Sequence, residues 1–253
     1  MKRLSAVAVA LLIGVSSVSA SWDYFPVIEQ GSAEAKLSYQ GGLDLKVRYG
    51  LIDNLELFAA SDAANCAQYT LGARYQIAPD MLSAYLDLGI PYENGYSDWG
   101  VTPGVQFSTN FTETISLGVG LGLPVHINHR GWADTITVDN PNGDGFGLDL
   151  AFGLELDVTL SEQVLFWFGV DFLYDNLTSA GYSDNNKRPD FDVKSALSPA
   201  IGFTFSKDNL SVGTSLGIDL MAKTDKILAG ATQEDRDKTS IGLIGAVDFS
   251  IKF

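Results

Sequence analysis

The chain has 253 residues, 46% of them hydrophobic, and 16 Lys and Arg stand against 31 Asp and Glu for a formal charge of −15. An acidic balance of this size argues against nucleic acid as a partner. The single cysteine, Cys66, excludes an internal disulfide.

Residues 1–20 read as a secretory signal peptide. Lys2 and Arg3 are basic, residues 4–15 are apolar, and Val18 and Ala20 supply the small residues of a cleavage site. The apolar run is short of the roughly 20 residues that a transmembrane helix needs. Cleavage after Ala20 removes two cations, leaving 14 basic against 31 acidic residues, or −17.

From residue 31 onward, apolar and polar residues alternate, and successive strand side chains point to opposite faces. Twelve segments carry the pattern: 31–39, 43–51, 55–60, 67–77, 82–90, 100–111, 115–126, 145–160, 164–175, 190–206, 210–222 and 239–253. In 145–160 every even position is apolar, from Phe146 to Leu160, while the odd positions are small, polar or acidic. Tight turns (IDN, APD, TET, SEQ, KDN) alternate with longer polar stretches, notably 127–144, 176–189 and 223–238. This is the pattern of a single 12-stranded antiparallel transmembrane β-barrel over 31–253, with short periplasmic turns and longer extracellular loops. Closure leaves no sheet edge unpaired in hydrocarbon. A soluble sandwich also alternates, but its outer face carries many Lys, Glu and Thr. Here the second face is rich in Gly, Ser and Ala. Ahead of the barrel, residues 21–30, SWDYFPVIEQ, form an N-terminal tail on the periplasmic side. It is either loose or tucked by its aromatics into the barrel mouth.

The same parity selects the charges that turn into the lumen. Lys36, Lys46, Arg48 and Arg74 lie on early strands, and Lys252 lies on the last strand, which closure sets beside the first. Asp149, Glu155, Asp157, Asp171 and Asp219 lie on the strands across the ring, and Asp248 lies beside Lys252. The expectation is a basic wall opposite an acidic one, a transverse field that orders water and dipolar solutes. The alternating inward glycines are expected to leave open volume. A porin-like channel for small hydrophilic solutes or ions is the reading these features favour, with a mild cation preference. The alternatives are a filled, non-conducting barrel with a structural, adhesive or assembly role, and a hydrolase with its site at the rim.

Residues 239–253 turn Ile241, Leu243, Val247, Phe249, Ile251 and Phe253 to one face. The stretch resembles the C-terminal strand of Gram-negative outer-membrane proteins. In that superfamily a terminal aromatic preceded by alternate apolar residues is read by the barrel-assembly machinery. The resemblance implies that role for Phe249, Ile251 and Phe253, with the outer-membrane lipid as surroundings. Residues 47–60, VRYGLIDNLELFAA, resemble the outer-membrane transporter-like family named after the phenol meta-cleavage pathway.

Other constellations point to no catalysis, cofactor or metal. His126 and His129 are three apart, but at a strand end that spacing does not converge them, and no Ser is spaced to pair with either. Residues 140–145, NPNGDG, resemble a calcium loop but have Ala151 where the twelfth-position acid belongs. GVGLGLP places its glycines along a strand with no helix after it, unlike a dinucleotide fingerprint.

Overall fold

The computed structural model describes residues 27–39, 43–62, 68–91, 99–128, 145–180, 194–227 and 234–253. They form β1 (Ala33–Tyr39), β2 (Leu43–Ile52), β3 (Leu55–Asp62), β4 (Gln68–Ala78), β5 (Leu82–Pro91) and β6 (Trp99–Asn110). There follow β7 (Ile115–Gly122), β8 (Val125–Asn128), β9 (Gly145–Ser161), β10 (Val164–Ala180), β11 (Lys194–Lys207), β12 (Leu210–Ile227) and β13 (Glu234–Lys252). No helix occurs among the described residues.

Each wall strand pairs antiparallel with its neighbour in the chain, and β1 also pairs with β13. In that closing seam Glu34 faces Lys252 and Leu37 faces Phe249. The register runs to the last residue. The Phe253 N–H donates to the Ala33 carbonyl at 2.8 Å, and the Ala33 N–H donates back at 3.2 Å. No edge is left, as a sheet immersed in hydrocarbon requires.

The stretch expected as one strand at 115–126 is two, β7 and β8, both pairing with β6 on one side and β9 on the other. The cause is Pro124, which has no N–H to donate. The Leu123 N–H instead donates to the Pro103 carbonyl at 3.0 Å, and the Pro124 carbonyl accepts the Asp149 N–H at 2.8 Å. Counting β7 and β8 as one interrupted wall strand, the molecule is a closed 12-strand antiparallel barrel.

A second difference lies at 223–238, expected as a loop. β12 and β13 stay paired up to Ile227 and Glu234. The polar residues there break the alternation of apolar and polar positions, but the backbone ladder continues as far as Ile227 and Glu234. The expected strand start at 190–193, the connection at 41–42, Cys66, the loop carrying His129, and Trp22, Tyr24 and Phe25 lie outside the described residues.

Tight turns connect β2 to β3, β4 to β5, β6 to β7, β9 to β10 and β11 to β12. With an even number of wall strands, these turns and both ends of the barrel sequence fall at one rim. Asp80 and Asp208 take positive φ, 58° and 54°, in two of the turns. Aspartate tolerates this left-handed conformation better than most residues.

The polarity is inverted relative to a water-soluble domain. Among the described residues the largest fully buried side chains are Glu56 and Asp219. The outer face carries exposed Leu, Ile, Val and aromatics around the wall, with Leu243 at 80% and Ile241 at 72% exposure. Soluble monomers rarely expose a continuous apolar surface of this kind.

Candidate functional site: the charged lumen wall

The residues of alternate parity on β1 to β6 build one connected polar array on the inner wall. Glu34 and Arg48 are register partners on β1 and β2, and Arg48 Nη2 donates to Glu34 Oε2 at 2.5 Å. Arg48 Nη1 lies 3.6 Å from Glu56 Oε2 on β3. Arg74, the register partner of Glu56 on β4, donates from Nη2 to the same Oε2 at 3.1 Å. Its Nη1 continues to Gln106 Oε1 on β6 at 3.4 Å. Arg74 and Glu56 are almost completely enclosed. Charges this deep are tolerated because each is paired and hydrogen-bonded.

The segment before β1 is part of the array. Gly31, at φ 80°, turns the chain back over the inner face. The Gly31 N–H donates to the Gly50 carbonyl at 2.8 Å, and the Gly50 N–H donates to the Ser32 carbonyl at 3.0 Å. A Cβ on Gly50 would collide with the Ile28 and Glu29 carbonyls, so glycine is what lets this backbone lie on β2. The Ile28 N–H donates to Glu56 Oε2 at 3.1 Å, and Val27 is buried. The end of the N-terminal tail therefore occupies the rim of the barrel on the tight-turn side.

Three rings lie against the inner face of the barrel, two on β3 and β5 beside the array and one on β10 across from it, each over a glycine of the next strand. Phe58 covers Gly72, Trp167 covers Gly202, and Tyr85 covers Gly104 while its hydroxyl reaches Gly122. These four inward glycines were expected to leave open volume. They instead accept rings where any Cβ would clash. Lys46 Nζ stands 4.7 Å from the Phe58 ring centroid, a cation–π arrangement. Asp87 is buried within electrostatic reach of Lys46 and Arg74.

Across the ring, Asp149, Glu155 and Asp157 lie on β9, Asp171 on β10 and Asp219 on β12. Asp149, Asp157 and Asp219 are buried, and Glu155 and Asp171 are half-buried. Ser198 on β11 donates from Oγ to Asp219 Oδ1 at 2.5 Å. Asp171 and Asp219 interact electrostatically across the strand that carries Ser198. No cluster of three metal-ligating side chains occurs among the described residues.

The remaining expected site residues lie at the closing seam. Lys36 Nζ is 3.8 Å from Asp248 Oδ1, with the two side chains 46% and 25% exposed. Lys252 is exposed near the rim. Phe249 and Phe253 stand on the outer face with Ile251 between them. The side chain of His126 lies outside the described residues. Glu34 and Glu56 face inward by the same parity as the cations they hold, whereas Gln106 and Ser198, which also tie the inward charges together, are uncharged and carry no such mark in the sequence. For Glu56 the turn adds a second signal: the tight turn at Asp53 and Asn54 sets Gly50 opposite Glu56 and puts Glu56 diagonal to Arg48.

No protein-family model matches the chain, and no curated protein matches it. Solved structures do. The crystal structure of an outer-membrane channel from Pseudomonas putida F1 superposes with a TM-score of 0.62 at 13% identity, covering 91% of this chain and 98% of that one. The KdgM porin matches at a TM-score of 0.47 and 10% identity, over 88% and 98% of the two chains. At 13% identity the first likeness establishes the shared barrel fold.

Proposed function

We propose that the protein is an outer-membrane channel for passive diffusion of small hydrophilic solutes and ions. The observation that carries this reading is the inverted polarity of a closed barrel, with an apolar outer face and charges on the inner wall. A lumen whose surface is polar, and whose charges are held by neighbouring strands, favours water and dipolar solutes over apolar ones. The cations Lys36, Lys46, Arg48, Arg74 and Lys252 form one arc. The acids Asp149, Glu155, Asp157, Asp171 and Asp219 form the arc across from it, and the acidic excess gives a mild cation preference. That the shared fold also serves an outer-membrane channel in P. putida supports the reading. Export uses residues 1–20 as a cleaved signal, and Phe249, Ile251 and Phe253 are the signal read by the barrel-assembly machinery. The reading assigns no catalytic step, cofactor or metal.

One observation favours a second reading, a non-conducting barrel. The Glu34–Arg48–Glu56–Arg74 array and the segment at 27–31 occupy lumen space at one rim. Liposome swelling separates the two. Folded protein in vesicles is expected to admit small sugars at rates that fall with solute size. Swelling no faster than in protein-free vesicles, for every solute tried, overturns the channel reading and leaves the filled barrel.

A further inference from the structure

The outer face holds a furrow with charge at its end. Register places Phe205 of β11, Val212 of β12 and Phe249 of β13 in a single row. All three point outward, so a small side chain lies between two rings. One residue pair nearer the rim, Leu210 continues the floor toward the β11–β12 turn, where Lys207 and Asp208 are both exposed. On the other side of Val212 the next outward residue of β12 is Thr214, again small, flanked by Phe203 and Val247. From Leu210 to Thr214 the floor runs about 13 Å at about 3.3 Å per residue. At its rim end the furrow is a shallow cleft, open to the surroundings, of about 670 Å³, lined by Phe205, Lys207, Asp208, Asn209, Leu210, Val212 and Phe249.

An apolar furrow of this shape matches an acyl chain laid along β12. The turn at its end offers a cation and an anion in adjacent positions, Lys207 and Asp208. A purely anionic headgroup would satisfy Lys207 and be repelled by Asp208. A zwitterionic headgroup satisfies both, its phosphate at Lys207 and its ammonium at Asp208. A primary ammonium donates hydrogen bonds to a carboxylate, which a quaternary one does not. Asp208 holds its backbone at φ 54°, which fixes where its carboxylate starts. The turn lies at the rim shared by the tight turns, the periplasmic leaflet in the proposed orientation.

We propose that this furrow is a binding site for phosphatidylethanolamine, with the acyl chain over Val212 between Phe205 and Phe249, and the headgroup at Lys207 and Asp208. The site rests on the barrel being membrane-embedded, but not on its conducting.

Native mass spectrometry of the folded full-length protein released from detergent tests it. Phosphatidylethanolamine, phosphatidylcholine and phosphatidylglycerol are titrated separately. Retention of the first at least several-fold above the other two is expected. The K207Q/D208N pair should erase that preference, since asparagine also tolerates positive φ. V212W, which fills the furrow and leaves the charges, should reduce retention of all three. Heat-modifiable mobility on gels confirms that each variant is folded. Equal retention of the three lipids by the unaltered protein, or a preference that survives K207Q/D208N, means a nonspecific lipid belt and overturns the site. Conductance measured on the same preparations is a separate readout, so a silent channel with intact lipid preference refutes the transport reading alone.

Discussion

Substituting Glu56 with Gln removes the charge on which the array at the tight-turn rim converges. One oxygen, Glu56 Oε2, receives Arg74 Nη2 at 3.1 Å, the Ile28 N–H at 3.1 Å and Arg48 Nη1 at 3.6 Å. Breaking an enclosed ion pair from one side costs about 3–5 kcal/mol, because the partner charge is stranded. Here Arg48 keeps Glu34 and Arg74 keeps Gln106, and the new amide oxygen still accepts hydrogen bonds. The expected loss is therefore at the low end, about 3 kcal/mol, or about a hundredfold in the folding equilibrium. The assay is urea unfolding of protein refolded into lipid vesicles, followed by tryptophan emission. Lys36→Gln is the control, because its 3.8 Å pair with Asp248 is open to water and should contribute below about 1 kcal/mol. A Glu56→Gln midpoint indistinguishable from wild type, or a Lys36→Gln loss just as large, refutes the distinction between an enclosed and an open pair.

Three further outcomes are expected from the same geometry. Val247 faces outward and lies six residues from Phe253, about 15 Å from the rim and near the middle of the apolar band. Val247→Arg should cost about 2–4 kcal/mol by urea unfolding in vesicles, while Ala246→Arg, facing the lumen, should cost much less; equal losses would contradict the facing of β13. Gly202→Ala drives a methyl into the Trp167 ring and should cost about 1–3 kcal/mol. With Trp22, Trp99 and Trp132 replaced by Phe, the Trp167 emission should shift, and unchanged emission and stability would remove the ring from Gly202. Gly50→Val drives a side chain into the Ile28 and Glu29 carbonyls. The segment ahead of Gly31 should become cleavable by proteinase K in the folded barrel, and cleavage no faster than in wild type would show that it does not lie on β2.

The wall was legible in the sequence because its signal is local. Apolar residues at every second position locate a strand and its facing with no knowledge of its neighbours, and this placed all twelve wall strands. Where the wall departs from that pattern, backbone chemistry decided. Pro124 splits one strand into β7 and β8, and the polar hairpin of β12 and β13 stays paired as far as Ile227 and Glu234 although its side chains no longer alternate. The inner array was legible only in part. Parity turns Arg48, Glu56 and Arg74 inward, but the sharing of Glu56 by two guanidiniums depends on register between three strands. The fate of the glycines depends on the same register. Gly72 and Gly202 look like open space along their own strands, and only the neighbouring Phe58 and Trp167 show that the space is filled.

Single-channel recording in planar bilayers tests the central claim most directly. Folded protein in symmetric KCl should give discrete, reproducible conductance steps, and a salt gradient should give a reversal potential displaced toward that of K⁺. Absence of steps from protein whose folding is verified by heat-modifiable mobility would contradict the account.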